Sequence, residues 1–486
     1  MSIPETDDEI LMYRLLAIFL GVCAASLAHA ADSKPNFIIV FCDDMGYADI
    51  GPFGAEGYQT PHLDRMAAEG IKFTDFYVGR SFCTPSRAAL MTGCIPTRVG
   101  IGGNFGPKST TGLNPDEMTI AETLKQVGYA TACFGKWHLG HLPEFLPPAQ
   151  GFDEYFGIPY SNDMWPFHPG VRHLPMAERI KRWPHLPLFE GTEIINPQVM
   201  PQDQVNLTRT LAGRATKFIK EHQHEPFFIY FPSPQPHVPL FCSAAFQDTT
   251  QRGLFGDVIS EIDWAVGQIL ATLKETGLDR NTCVVFTSDN GPWLSYGDHA
   301  GSAKPLRNGK GSNFEGGFRV PCVMRWPGQI PAGAVCHQVA GTIDLLPTFA
   351  KLSGAPLPTN KIDGQDIIDL MKAEPGAKSP HQAFYHYDGG MRLAAIRSGK
   401  WKLMFPQQYS TITEPGVGGI PGKDKRHSLP LSLFDLETDI GETTNLADQH
   451  PEVVKRLEKL ADDMRIELGD GKQNVGQARR PLGQAK

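Results

Sequence analysis

The sequence predicts an α/β protein: a large, mostly parallel or mixed sheet sandwiched by helices, then a smaller C-terminal domain with a short antiparallel sheet and a helix. Three observations predict it. Continuous apolar runs of strand length recur along most of the chain. Helix-like stretches separate them. The pattern then changes after about residue 375.

Phe37 to Cys42 is the first apolar run. Thr131 to Phe134 follows a helical stretch from Thr119 to Val127, and Phe227 to Phe231 follows one from Asn206 to His222. Cys283 to Thr287 follows another from Asp257 to Thr276, and Pro321 to Met324 comes later. A strand that is apolar at every position has no wet face, so helices must cover both sides of its sheet. This domain is expected over residues 31–375. In residues 376–486, His381 to Tyr387, Leu393 to Arg397, Trp401 to Phe405 and Leu433 to Leu436 read as short strands. Pro451 to Ile466 reads as a charged amphipathic helix. Tyr409 to Ser428, rich in Gly, Pro and Lys, reads as a mobile loop.

With 41% hydrophobic and 20% charged residues in 486, the composition is that of a folded globular chain, not a disordered one. A net charge of -8 and the lack of a long basic run argue against nucleic acid as a partner. Residues 1–30 read as a secretory signal. Arg14 precedes the apolar core Leu15 to Val22, and Ala28-His29-Ala30 supplies a cleavage pattern. The acidic leader Ser2 to Ile10 suits no signal, so Met12 is the expected start. The core is too short for a stable membrane span. The expected location is therefore outside the cytoplasm: periplasm, medium or, in an animal, lysosome. None of the nine cysteines forms a CxxC or zinc-binding pattern. Cys42, Cys133, Cys283 and Cys322 lie inside apolar runs and read as buried hydrophobes, while export leaves room for a disulfide or two.

Chemistry gathers where strands end. In open α/β sheets, ligands bind beyond the carboxyl ends of the strands. The first run ends in Asp43-Asp44, the second in Gly135-Lys136-Trp137-His138, and the fourth in Asp289-Asn290-Gly291; the third leads to His237. One such ending would be an ordinary turn. Four in one sheet indicate a site. Asp43, Asp44, Asp289 and Asn290 offer only hard oxygens, which select calcium or magnesium over zinc or copper. Calcium is the better expectation, because it tolerates irregular oxygen cages.

Ser81 to Gly93 reads as a loop entering a helix, with Pro85 in the first turn and Ala88 to Met91 as strong helix formers. Cys83 would then sit at the helix N-terminus, where free amides favour an anion. This segment resembles the sulfatase signature, whose Cys-x-Pro-x-Arg core is Cys83 to Arg87. Gly128 to His138 resembles the second sulfatase signature. The resemblance extends through Gly157 to Ser161, Asp289 to Pro292, Gly309 to Gly311, Glu315 to Gly317, Leu433 to Leu436 and Asn445-Leu446. Within the family the chain is most similar to the arylsulfatase A and galactosamine-6-sulfatase branch, of the alkaline-phosphatase-like superfamily. Phe82 and Phe134 are bulkier than the family pattern, and Cys94 stands in a slot often held by Arg.

The resemblance implies hydrolysis of sulfate esters, with a sulfated small molecule or glycan as substrate. A maturation enzyme acting on residues 83–87 would oxidise Cys83 to formylglycine (3-oxoalanine). The hydrated aldehyde would attack sulfur through one hydroxyl and expel sulfate through the other. The calcium set would be Asp43, Asp44, Asp289, Asn290 and the modified Cys83. Arg87 would help the metal hold the diol. Lys136 and Lys310 would contact the sulfate, His138 would be the base on the second hydroxyl, and Lys310 or His237 would protonate the leaving oxygen. Ser161 would hydrogen-bond the sulfate or its surroundings. Trp165, Trp293 and Tyr296 either stack on the substrate ring or belong to the core. Two other readings compete: a phosphate or phosphonate ester hydrolase on the same sheet, and a sulfoglycan-binding protein without turnover.

Overall fold

A computed structural model describes residues 34–485. The signal reading, with Met12 and Ala28 to Ala30, lies outside the described residues, and so does Cys23. Ten labelled strands build the large sheet: β1 (Asn36–Cys42), β2 (Ile71–Tyr77), β3 (Ala130–Lys136), β4 (Glu154–Ile158), β5 (Leu188–Glu190), β6 (Glu193–Asn196), β7 (Phe227–Pro232), β8 (Thr282–Ser288), β9 (Arg319–Arg325) and β10 (Ala334–Cys336). Their order is β10-β2-β9-β8-β1-β7-β3-β4-β5-β6, with Ala340–Gly341 also beside β2. The central five, from β8 to β4, are parallel. The flanks are not: β9 runs antiparallel to both β8 and β2, and β5 to both β4 and β6. The sheet is therefore mixed.

Along β1, Phe37, Ile39 and Phe41 join one core layer, while Ile38, Val40 and Cys42 join the other. The first layer packs on α2 (Cys83–Thr92), α3 (Ile120–Lys125) and α6 (Leu345–Ser353). The second packs on α1 (Pro61–Ala68), α4 (Leu207–Glu221) and α5 (Leu254–Glu275). This double cover is why the strands read as unbroken apolar runs. The eight described cysteines are buried and free, so no disulfide forms among the described residues. No helix among them is long and apolar enough to cross a membrane.

In the C-terminal region, β11 (Phe384–Tyr387), β12 (Leu393–Ser398), β13 (Trp401–Met404) and β16 (Ser432–Asp435) form an antiparallel sheet. Val454 and Leu457 of α7 (Pro451–Leu468) pack on it against Ile396, Leu403 and Leu433. The stretch expected to be a mobile loop is instead a hairpin, β14 (Gln407–Glu414) paired with β15 (Lys423–Leu429). Tyr409, Thr411, Ile412 and Thr413 carry the β-propensity; the glycines and prolines are confined to the connecting turn.

His381 ties the two regions: its Nε2 lies 2.7 Å from Asp344 Oδ1. Burial opposes the protonated ring, but the Asp344 carboxylate outweighs it and raises the pKa. A raised folded pKa gives stability that is complete below the unfolded value and lost as pH rises through the folded one. His381→Ala is therefore expected to lower the urea midpoint more at about pH 5.5 than at about pH 9.

Candidate active site

The predicted residues converge beyond the carboxyl ends of the central strands. Asp43 and Asp44 follow β1, and Asp289 and Asn290 follow β8. Because β1 and β8 are parallel neighbours in register, Cys42 opposite Ser288, the two acidic pairs emerge side by side. The Asp44 amide donates to Asp289 Oδ1 at 3.1 Å, and Asn290 Nδ2 to Asp44 Oδ1 at 2.7 Å. All four side chains are buried.

Gly135, two residues before the Trp137-His138 turn, lets β3 approach β7: a Cβ there would lie 2.0 Å from the Pro232 carbonyl oxygen. That close approach seats Lys136 inside, where its ammonium ion-pairs with Asp43. Cys83 is the first residue of α2 and wholly buried. Its Sγ lies 3.4 Å from Asp43 Oδ1 and 3.4 Å from Lys310 Nζ. Lys310 also reaches Asp44 at 2.7 Å. One turn along α2, Arg87 donates twice to Asp289 Oδ2, at 3.1 and 2.9 Å, and to the Lys136 carbonyl at 2.8 Å. His237 Nε2 lies 3.4 Å from Asp44 Oδ2.

The electrostatics follow from this crowding. Burial and Asp43 push the Cys83 thiol well up, and Lys136 and Lys310 offset this only in part. The encoded thiol is therefore held protonated and is a poor nucleophile. Burial raises the Asp43 carboxyl, but Lys136, His237, Arg87 and Lys310 together hold it well below the usual range. Burial and Asp43 push Asp289 up to about 7 despite Arg87 and Lys136. Burial opposes the charge on Lys310, yet Asp44, Cys83 and Asp43 keep its pKa above the ordinary value.

His138 shows which of its nitrogens is free. Nε2 faces the Phe105 carbonyl at 2.9 Å. A carbonyl only accepts, so Nε2 carries the hydrogen and the buried, unpartnered Nδ1 presents a lone pair. Burial, with Lys136 and Arg87, keeps the ring's pKa well below its usual value, so the ring is neutral. His138 and Asp44 both hold positive φ, 61° and 63°. Such strain in non-glycine residues concentrates at functional sites.

The donors suit a hard cation. Asn290 Oδ1 is buried without a partner, beside the carboxylates of Asp43, Asp44 and Asp289. Ligand atoms of Asp43, Asp44, Cys83 and His237 lie within 4.8 Å of one another, so His237 belongs to this cluster although the sequence assigned it to the substrate.

Other expected residues divide. Ser161 is buried beyond β4, and no hydrogen bond joins it to the cluster. Trp165 is core, its Nε1 bonded to the Val199 carbonyl at 2.8 Å. Trp293 belongs to the site: Lys310 Nζ lies 4.5 Å above its ring, and His237 packs on it at 5.5 Å, with Tyr296 behind. Sequence reasoning missed Asp163. Burial raises its carboxyl, but His237, Ser161, Lys310 and Lys136 hold it below the usual range, so it faces the same cationic pocket. It too follows a parallel strand, β4, and the strand-end rule that found the others would have found it.

The chain is similar in sequence and in fold to known proteins. The family model described as Sulfatase matches residues 35–355, and that for the C-terminal region of aryl-sulfatase matches residues 379–485. Arylsulfatase A of Bos taurus is 39% identical, covering 96% of this chain and 95% of that protein. N-acetylgalactosamine-6-sulfatase of Sus scrofa is 37% identical, covering 91% and 88%. The solved PsFucS1 sulfatase from Pseudoalteromonas sp. superposes with a TM-score of 0.82 at 26% identity, over 95% of this chain and 94% of that one.

Proposed function

This chain belongs to the sulfatase family and is a sulfuric ester hydrolase, and from that premise we propose that it acts on a sulfated carbohydrate at the cluster around Cys83. The observation that carries the reading is the set of cations, Lys136, Lys310 and Arg87, gathered with His237 at the buried N-terminus of α2. Cations and helix amides fixed around one point stabilise an anion as charge develops on it. The sugar component rests on the 37% identity to N-acetylgalactosamine-6-sulfatase.

In this reading Cys83 would be converted to formylglycine, and calcium would be held by Asp43, Asp44, Asp289, Asn290 and the modified side chain, with His237 beside them. The formylglycine supplies a hydrated aldehyde as nucleophile, and the calcium supplies a fixed positive charge against it. The chain's own side chains do the rest. Lys136 and Lys310 hold the sulfate oxygens. Arg87 keeps Asp289 and Asp43 in place. The bare Nδ1 of His138 accepts a proton within the pocket. Lys310 or His237 delivers one to the departing alcohol oxygen. Burial excludes water other than the reactant.

Cys83 to Arg87 are all buried, so the maturation enzyme must reach this segment before the chain closes around it. Export is proposed from the leader Leu15 to Ala30. Side-by-side rates on an aryl sulfate and an aryl phosphate test the reading. The sulfate should be the faster substrate; a faster phosphate would favour a phosphate or phosphonate ester hydrolase. Lys310→Ala should lower kcat on the sulfate by about 10²–10³-fold, the usual loss for one fixed donor at developing charge.

A further inference from the structure

Beside the reaction centre lies a cleft of about 290 Å³, walled on one side by residues 308–314 and on the other by the hairpin β14–β15. Two clamps set its width. Asn308 Nδ2 donates to the Ser410 carbonyl at 2.8 Å, and Asn313 Nδ2 donates to Gln407 Oε1 at 2.7 Å. Tyr409 secures the hairpin further: its ring meets Phe314 edge-on, and its hydroxyl accepts from Arg307 Nη2 at 3.2 Å. The cleft is therefore built, not left open by a loose loop.

Its lining is polar and in part unused. Arg426 lines the cleft directly across the ladder from Ser410. Among the described residues nothing hydrogen-bonds or ion-pairs with its guanidinium, although Asp424 stands two positions along the same strand face. The hairpin's one ion pair among the described residues joins Lys423 to Glu414 instead, at 2.8 Å. An exposed, unpaired guanidinium on the wall of a cleft is notable in a chain whose net charge is -8. Lys310 lines this cleft, and its ammonium lies 3.4 Å from Cys83 Sγ, so the cleft adjoins the reaction centre through this residue.

We infer that this cleft receives the sugar next to the sulfated one, and that Arg426 binds an anionic substituent on that neighbour, a carboxylate or a second sulfate. The planar guanidinium fork matches the paired oxygens of either group. The inference rests on the carbohydrate reading above and narrows it to a polyanionic glycan.

The test compares the parent with Arg426→Gln on four substrates: an aryl monosulfate, a sulfated disaccharide with a neutral neighbour, one with a uronate neighbour, and one with a sulfated neighbour. Arg426 is exposed on a hairpin, so the variant should fold. The expected result is a KM about tenfold higher on one or both acidic-neighbour substrates, as for loss of one charged hydrogen bond. Values of kcat, and both parameters on the other two substrates, should hold. Arg426→Lys should recover part of the loss, since it keeps the charge without the fork. Equal losses on all four substrates, or no loss on either acidic one, would overturn the inference. A parent inactive on the aryl sulfate would instead overturn the sulfatase reading itself.

Discussion

Cys83→Ala is expected to lower kcat/KM on an aryl sulfate by about 10⁴-fold or more, the scale seen when a covalent nucleophile is removed. The fold should survive. The thiol contributes only its contacts with Asp43 and Lys310, and both partners keep ion pairs of their own, with Lys136 and Asp44. Far-UV circular dichroism and a near-parental urea midpoint would separate lost chemistry from lost structure. The expectation follows from position. Cys83 opens α2 and lies against Asp43 and Lys310 of the cluster. The same surroundings hold the encoded thiol protonated by burial and by Asp43, so its value lies in what it can be converted to.

Arg87→Ala should abolish activity and also destabilise the protein, by about 3–5 kcal/mol, the usual consequence of leaving buried charge unpaired. Arg87 is wholly buried and ties three strands together through Asp289, the Lys136 carbonyl and the Tyr230 hydroxyl, the last at 3.5 Å. Without it, Asp289 and Asp43 face each other with less cationic charge between them. A fall in the urea midpoint together with lost turnover is the expected pair of results. Arg87→Lys should fall between, because an ammonium restores the charge but not the pair of bonds that converge on Asp289 Oδ2. An Arg87→Ala protein as stable as the parent would mean that Asp289 is paired by something else.

The sequence made the central strands legible because both faces of β1, β3, β7 and β8 are buried, which leaves an unbroken apolar signature. It hid β2, where Lys72, Thr74 and Asp75 interrupt Ile71 to Tyr77. It also hid the direction of β9, since an apolar run carries no polarity of its own. The hairpin β14–β15 was obscured by the glycine-rich turn at its tip, and with it the cleft beside Lys310. Most of the site was legible because its residues follow directly on recognisable strands. His237 was found too, but its closeness to Asp44 arises from the irregular path after β7 and could not be read from spacing. Asp163 was passed over for lack of a motif, although it obeys the same strand-end logic.

The most direct test of the account is the chemical state of residue 83 in catalytically active protein, made with a maturation enzyme present. Mass spectrometry of the peptide spanning Cys83 to Arg87 should find the mass of formylglycine in place of cysteine, reactive toward a hydrazide and unreactive toward thiol alkylation after unfolding. Fully active protein in which residue 83 is uniformly an alkylatable cysteine would contradict it.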